Sequence, residues 1–335
     1  MKIVMDMYGG DNAPLAPLKG AALAVKTLGV SVVAVGNVEE MKRLCAENSV
    51  STEGFEWIDA PLVMPVCAEP TESVKGKYKE SSLSTALRAL AEGKGDAFVG
   101  AGSTGAIVVA ATLLVKRIKG VKRAALASVI PGVNKDYMLL DLGANVECRP
   151  EMLSQFGLMG SVYMEKVEGV KDPAVGLINI GAEESKGTDL QKEALSLMKN
   201  APYRFIGNVE ARDLPFGACD VAVADGFTGN VVLKLTEGLG LAFGKMFKGI
   251  LTKNIWTKLG TLPMKSGISS FKKKLDYTEK GGAPLLGIAK PVIKAHGSSD
   301  ERAFFNAIRQ AKNFYEQDIV GTITKALTEQ KEDEE

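Results

Sequence analysis

The residues best equipped for chemistry sit in short runs of small residues. Lys186 lies in Gly181–Thr188 (GAEESKGT), Asn230 ends Asp225–Asn230 (DGFTGN), and the single histidine, His296, opens His296-Gly297-Ser298-Ser299-Asp300. Three further runs accompany them: MYGGDNAP with Gly9, Gly10 and Asp11, GAGSTG with Gly102, Ser103, Thr104 and Gly105, and Gly143-Ala144-Asn145. Glycines let backbone N–H groups approach a ligand, and Ser, Thr and Asn add hydrogen-bonding groups without filling the space. Each run leads towards a helix, whose first N–H groups and partial positive charge favour an anion. The expected ligand is phosphate-like, and Gly229 and Ser298 join the candidates to touch it. Any one run is equally well a turn with an N-cap; their recurrence is what argues for a ligand. If their loops meet, Lys186 supplies a cation and Asn230 a neutral amide donor, a pair suited to a phosphate and a developing oxyanion. Taken alone, Lys186 reads as an exposed loop lysine and Asn230 as a helix cap.

Other chemistries lose their markers. The chain has no G-x-x-x-x-G-K-[ST] loop, no G-x-G-x-x-G after its first strand and no G-x-S-x-G elbow. One histidine cannot make a His-x-x-x-His metal pair, and Cys45, Cys67, Cys148 and Cys219 form no Cys-x-x-Cys, so no zinc site is expected and the thiols read as reduced core residues. Lys and Arg number 41 against 40 Asp and Glu, which lacks the excess positive charge of a nucleic-acid binder. No stretch offers about 18 consecutive apolar residues, and a cytoplasmic protein is expected.

The elements that must position these runs are legible as short apolar strands alternating with helical patterns. Strands are expected at Ile3–Met5, Val32–Val35, Ala97–Val99, Tyr137–Leu140, Val175–Ile180, Phe205–Ile206 and Val221–Val223. Helices are expected at Ser81–Glu92, Thr104–Lys116, Pro150–Lys166, Asp189–Lys199, Asn230–Leu241 and Ser299–Leu327. This is an α/β pattern, a three-layer α/β/α arrangement around a mostly parallel sheet covered on both faces. With 335 residues, 46% of them hydrophobic, and no Pro/Ser linker, residues 1–328 read as one catalytic domain. Residues 329–335, with five acids and one lysine, read as a solvated tail. In a parallel sheet the strand-to-helix loops share one edge, so the small-residue runs are expected to converge on one crevice.

MYGGDNAP, GAGSTGA, LLDLGANVE, GLINIGAEESKGT, FIGNVEARD, VADGFTGNVVLK and VIKAHGSSD together resemble the bacterial acyl-carrier-protein:phosphate acyltransferases of phospholipid synthesis. The blocks follow one another in the family's order over nearly the whole chain, departing from its pattern at Tyr8 and at Ser103. The resemblance implies reversible transfer of a fatty acyl group from acyl carrier protein to inorganic phosphate, giving acyl phosphate, with no metal and no organic cofactor. It implies a fold like that of isopropylmalate dehydrogenases and phosphotransacetylases, a homodimer, and activity carried by Lys186 and Asn230. It also implies peripheral association with the inner face of the cell membrane and handover of product to the membrane glycerol-3-phosphate acyltransferase.

Gly238–Leu275 contains no acidic residue but eight lysines. Apolar residues are interleaved with them, and Phe247, Leu251, Ile255, Trp256 and Leu259, with Lys258, are the expected membrane or carrier contacts of a basic amphipathic hairpin at about 244–277. The same stretch reads alternatively as a helical pair packed in a dimer interface. Two rival functions remain at this stage. One is a metal- and nicotinamide-dependent decarboxylating dehydrogenase of the same fold, which wants clustered acidic ligands; the other is a non-catalytic carrier-protein or membrane scaffold.

Overall fold

The computed structural model describes residues 1–254, 257, 264, 267 and 281–334. Its strands are β1 (Lys2–Asp6), β2 (Ser31–Gly36), β3 (Phe55–Asp59), β4 (Ala97–Gly100), β5 (Ala125–Ile130), β6 (Tyr137–Leu140), β7 (Val175–Asn179), β8 (Phe205–Glu210), β9 (Val221–Val223), β10 (Ala283–Leu286) and β11 (Val292–Lys294). The helices are α1 (Leu15–Leu28), α2 (Val38–Glu47), α3 (Ser82–Ala91), α4 (Thr104–Ala110), α5 (Pro150–Lys166), α6 (Asp189–Met198) and α7 (Gly226–Leu251). Two more follow, Glu301–Glu316 and Ile319–Glu334, here α8 and α9.

One sheet runs in the order β3-β2-β1-β4-β11-β10-β5-β6-β9-β7-β8. Both its faces are covered, as the uninterrupted apolar strands require. Ile3 and Met5 pack into one core with Leu18, Phe304 and Phe314, while Val4 points the other way into a second core with Leu83, Leu87 and Ile107. The three-layer α/β/α expectation holds.

The direction of the strands departs from a simple parallel sheet. β2, β1, β4 and β11 run together, but β10 is antiparallel to both β11 and β5, and β5 is antiparallel to β6. β6, β9, β7 and β8 are then parallel to one another, and so run opposite to β1, β4 and β11. The loops that follow β1, β4 and β11 therefore lie along one edge, and those that follow β6, β9 and β7 along the other. The expected convergence of all the runs on a single edge is corrected to two groups. Neither of the strands responsible, β5 and β10, nor the neighbouring β11 was among the expected strands.

Local sequence explains the other differences. α7 starts at Gly226 instead of Asn230 because Asp225 caps it, its Oδ1 accepting the Thr228 N–H (2.9 Å). It also runs on to Leu251. The helix expected over Ser299–Leu327 is two, because Asp318 takes a left-handed conformation (φ 45°) and then accepts the Gly321 N–H (3.1 Å). Cys45 and Cys219 are buried and Cys148 is partly so, but Cys67 is exposed and is no core thiol.

Candidate functional site

The first edge begins where β1 ends in a carboxylate. Asp6 is buried and accepts the N–H groups of Tyr8 (3.2 Å) and Gly9; burial pushes its pKa up, against the lowering effect of a bond to Ser82 and of these N–H donors. The loop it holds is packed against its neighbours. A Cβ at Gly9 would stand 2.5 Å from the Gly102 nitrogen, so a glycine is required for the runs after β1 and β4 to touch. Asp11 N donates to Gly297 O (2.7 Å), and the Asn12 amide reaches the carbonyl oxygens of Ser298 and Ser299 (3.2 Å each). Gly9, Gly10, Asp11, Gly102, Ser103, His296 and Ser298 are thus brought together, and Asp6, Tyr8, Gly9, Met64, Gly102 and Ser103 line a small open hollow beside them. Thr104 and Gly105 open α4, where Gly105 is explained by packing, since a Cβ there would meet Pro70 at 2.7 Å.

His296 Nδ1 accepts the Ser298 N–H (3.2 Å) and lies 2.9 Å from Ser298 Oγ. A ring nitrogen that accepts a backbone N–H carries no proton of its own, so the neutral ring is protonated at Nε2. Desolvation pushes the imidazole pKa down; Glu237 and Asp11 oppose this, and Lys234 and Lys294 reinforce it. Two residues before it, at the end of β11, the half-buried Lys294 is pushed down to about 8, first by burial and then by Lys234, with Asp11 acting the other way.

The second edge repeats the device. β6 leads directly into Asp141, fully buried, whose carboxylate accepts the N–H groups of Leu126 (2.9 Å), Ala144 (3.1 Å) and Asn145 (2.6 Å) and the Asn145 side-chain amide (2.9 Å). Burial raises its pKa against these donors. The Asn145 amide also donates to Ala124 O (2.7 Å), so its hydrogen bonds are made within the fold. α7 enters against this loop: Gly226 N donates to Asn145 O (2.8 Å), and a Cβ at Gly229 would overlap the Asp141 carbonyl oxygen. Asn230 follows, exposed, with its side chain against Gly143. It is the fifth residue of α7 and not its cap.

Lys186 is on the same edge, in the loop after β7, which lies beside β9. The loop is pinned by Asn179 Nδ2 to Lys186 O (3.2 Å) and by Asn208 Nδ2 to Glu183 O (3.0 Å). The lysine stem passes over Gly181, and its neighbour Glu184 is paired with Lys199 (2.7 Å), leaving the Lys186 side chain exposed.

α7 joins the two groups. Asn230, Lys234 and Glu237 are spaced i, i+4, i+7 on one face, Lys234 and Glu237 are ion-paired (2.8 Å), and both act on the His296 ring. Lys234, Glu237 and Lys294 escaped the sequence reading, although the i, i+4, i+7 spacing from Asn230 and the position of Lys294 just before Ala295-His296 were visible in it. Of the expected membrane or carrier contacts, Phe247 lies exposed and Leu251 half-exposed at the end of α7, while Ile255, Trp256, Lys258 and Leu259 lie outside the described residues. Among the described residues there is no cluster of His, Cys, Asp and Glu that could hold a metal, and no helix long and apolar enough to cross a membrane.

Residues 1–321 match the family model described as "Fatty acid synthesis protein". The chain is 45% identical over 334 residues to a phosphate acyltransferase of Alkaliphilus oremlandii, covering 100% of this chain and 99% of that one. It is 45% identical over 330 residues to a phosphate acyltransferase of Clostridium acetobutylicum, covering 98% and 99%. Among solved structures it is similar to a phosphotransacetylase from Streptococcus pyogenes, with a TM-score of 0.63 and 17% identity over 98% of this chain and 94% of that one, a likeness of fold.

Proposed function

This chain belongs to the fatty acid synthesis protein family, and from that premise we propose how its loops carry out the reaction of a phosphate acyltransferase. The protein transfers a fatty acyl group reversibly from a carrier thioester to inorganic phosphate, forming acyl phosphate. A phosphate oxygen attacks the thioester carbonyl, the C–S bond of the tetrahedral intermediate breaks, and the phosphate hydroxyl proton ends on the departing thiol. Phosphate is its own nucleophile, and a thiol with a pKa near ~8.5 leaves without strong acid assistance. Positioning and charge stabilisation are what remains for the protein to supply.

In this reading Lys186 and neighbouring loop N–H groups hold the phosphate, and the Asn230 amide stabilises the tetrahedral oxyanion. The observation that carries it is the shared edge: the Lys186 loop and the start of α7 follow the adjacent strands β7 and β9, and Asn230 projects from α7 against Gly143. Incubation with an acyl-carrier thioester and phosphate should release carrier thiol and yield hydroxylamine-reactive acyl phosphate. Thiol release that does not depend on phosphate refutes the reaction, and a fully active Lys186→Ala protein refutes the assignment of the lysine.

Acyl carrier protein as donor, a homodimer, and peripheral membrane contact with handover to the glycerol-3-phosphate acyltransferase belong to the same proposal. They are supported by the outer part of α7, where Leu235, Leu239, Phe243 and Met246 are each 46–62% exposed and Lys245 and Lys248 lie among them. A long helix with so much apolar surface turned outward calls for a covering partner. The dehydrogenase and scaffold alternatives draw no support from relatives that carry the acyltransferase name at 45% identity.

A further inference from the structure

The outermost strand of the second group, β8, carries a buried amide that the reaction as read so far leaves without a role. β8 pairs with β7 first at Val175↔Phe205 and next at Leu177↔Asn208, so it spends one more residue than β7 on this step, and Gly207 within it has φ 93°. Such a bulge sends the side chains that follow it to the opposite face. Phe205 packs against the core that holds Leu195 and Met198 of α6, whereas Val209 belongs to the other core; regular alternation would have kept the two together. Asn208 is thereby turned to the α6 face beside Leu177, where alternation calls for an apolar residue, and it is only 8% exposed.

Its Nδ2 donates to Glu183 O (3.0 Å). The same oxygen accepts the Lys186 N–H (3.1 Å) and closes the turn from Glu183 to Lys186. The last carbonyl of that turn, Lys186 O, is held by Asn179 Nδ2 (3.2 Å), so the turn is gripped at both ends. The two grips differ in cost. Asn179 Oδ1 accepts the Ile180 N–H (2.8 Å), but Asn208 Oδ1 is buried and meets no donor among the described residues. Burying an amide oxygen without a partner costs free energy that an apolar side chain would not incur. What the amide contributes in return is its hold on Glu183. We propose that Asn208 is a positioning residue of the acyl transfer: from the interior it fixes the carbonyl that closes the turn, and through the turn it sets where the Lys186 ammonium meets phosphate. The inference rests on the reading that Lys186 holds the phosphate.

Asn208→Leu removes both polar atoms at nearly constant length, and Asn208→Ser is too short to reach Glu183 O. Each is made in the wild-type and Lys186→Ala backgrounds, with inorganic phosphate and carrier thioester varied in turn and unfolding midpoints followed alongside. In the wild-type background kcat/KM for inorganic phosphate should fall about tenfold, the worth of one hydrogen bond to a charged group, while the KM for the carrier thioester stays as it is. In the Lys186→Ala background neither substitution should lower the remaining rate further, because residues that act as a unit do not add. An equal loss in both backgrounds, or KM values that rise together for both substrates, gives Asn208 a general structural role and overturns the proposal. An unchanged kcat/KM for phosphate in both variants overturns it too. If Asn208→Leu fails to fold, Asn208→Ser decides by the same criteria. Failure of the underlying reading looks different: Lys186→Ala is then fully active, whereas an impaired Lys186→Ala protein that loses rate again on Asn208→Ser keeps the lysine and sinks only its positioning by Asn208.

Discussion

Gly229→Ala places one methyl group where α7 meets the loop after β6. The new carbon would overlap the carbonyl oxygen of Asp141 and stand 3.1 Å from its carbonyl carbon. Carbon does not sit closer than about 3.3 Å to such an oxygen, so the first turn of α7 must withdraw by on the order of 1 Å. The loop cannot yield instead without cost, because the Asp141 side chain anchors it through the N–H groups of Leu126, Ala144 and Asn145. Overpacking of this kind destabilises by about 1–3 kcal/mol. The larger consequence falls on the next residue, since a displacement of about 1 Å in a group that stabilises the transition state costs roughly a hundredfold in rate. Gly238 is the control on the same helix: nothing lies within 4 Å of a Cβ there, so Gly238→Ala should gain about 0.5–1 kcal/mol from helix propensity alone and keep its turnover. Denaturant unfolding and the rate of acyl phosphate formation measure both effects. A Gly229→Ala protein with wild-type kcat and wild-type stability would refute the account of how Asn230 is positioned.

Other outcomes follow from the same geometry. Lys186→Ala should lower kcat by roughly a hundredfold to a thousandfold while circular dichroism and the unfolding midpoint stay unchanged. Burial holds the Lys294 ammonium down at about 8, below the ordinary lysine value of 10.5, so the folded protein binds fewer protons between these values and its stability rises with pH across that window. Lys294→Met should therefore raise the unfolding midpoint at pH 7, and the gain should shrink by pH 10; an equal gain at both pH values contradicts the burial of a charged group. Phe243→Glu puts a charge on the exposed face of α7 and should lower the oligomeric mass measured by light scattering; an unchanged mass excludes that face as the contact between copies.

Much of this molecule was readable before any coordinates. Tyr137–Leu140, Pro150–Lys166 and Val221–Val223 have the bounds that apolar runs and a first-turn proline suggested, because the two strands are buried throughout and the helix combines its N-terminal proline with a buried stretch from Phe156 to Met164. β5, β10 and β11 were missed for the opposite reason. ALASVI is six residues long but half of it is Ala and Ser, which favour strands little, APLL carries a proline and VIK is only three residues, and all three pair with residues far apart in the chain. α7 was expected to begin at Asn230, but it begins at Gly226, and the two glycines ahead of Asn230 are what allow its first turn to lie on the Asp141–Asn145 loop.

The identity of the reactive groups is a property of the sequence. Lys186, Asn230, His296 and the runs that carry them are covalent facts, and the turn and capping preferences of Gly, Ser, Thr and Asp act within a few residues. Which groups face one another depended on the tertiary structure. Three antiparallel pairings in the middle of the sheet turn half the strands round and divide the loops between two edges, and a single long helix brings Asn230, Lys234 and Glu237 along one line towards Lys294. The physical reason is range: local preference sets each corner, but strand direction and helix placement come from hydrogen bonds and packing between distant segments, which no window of sequence contains.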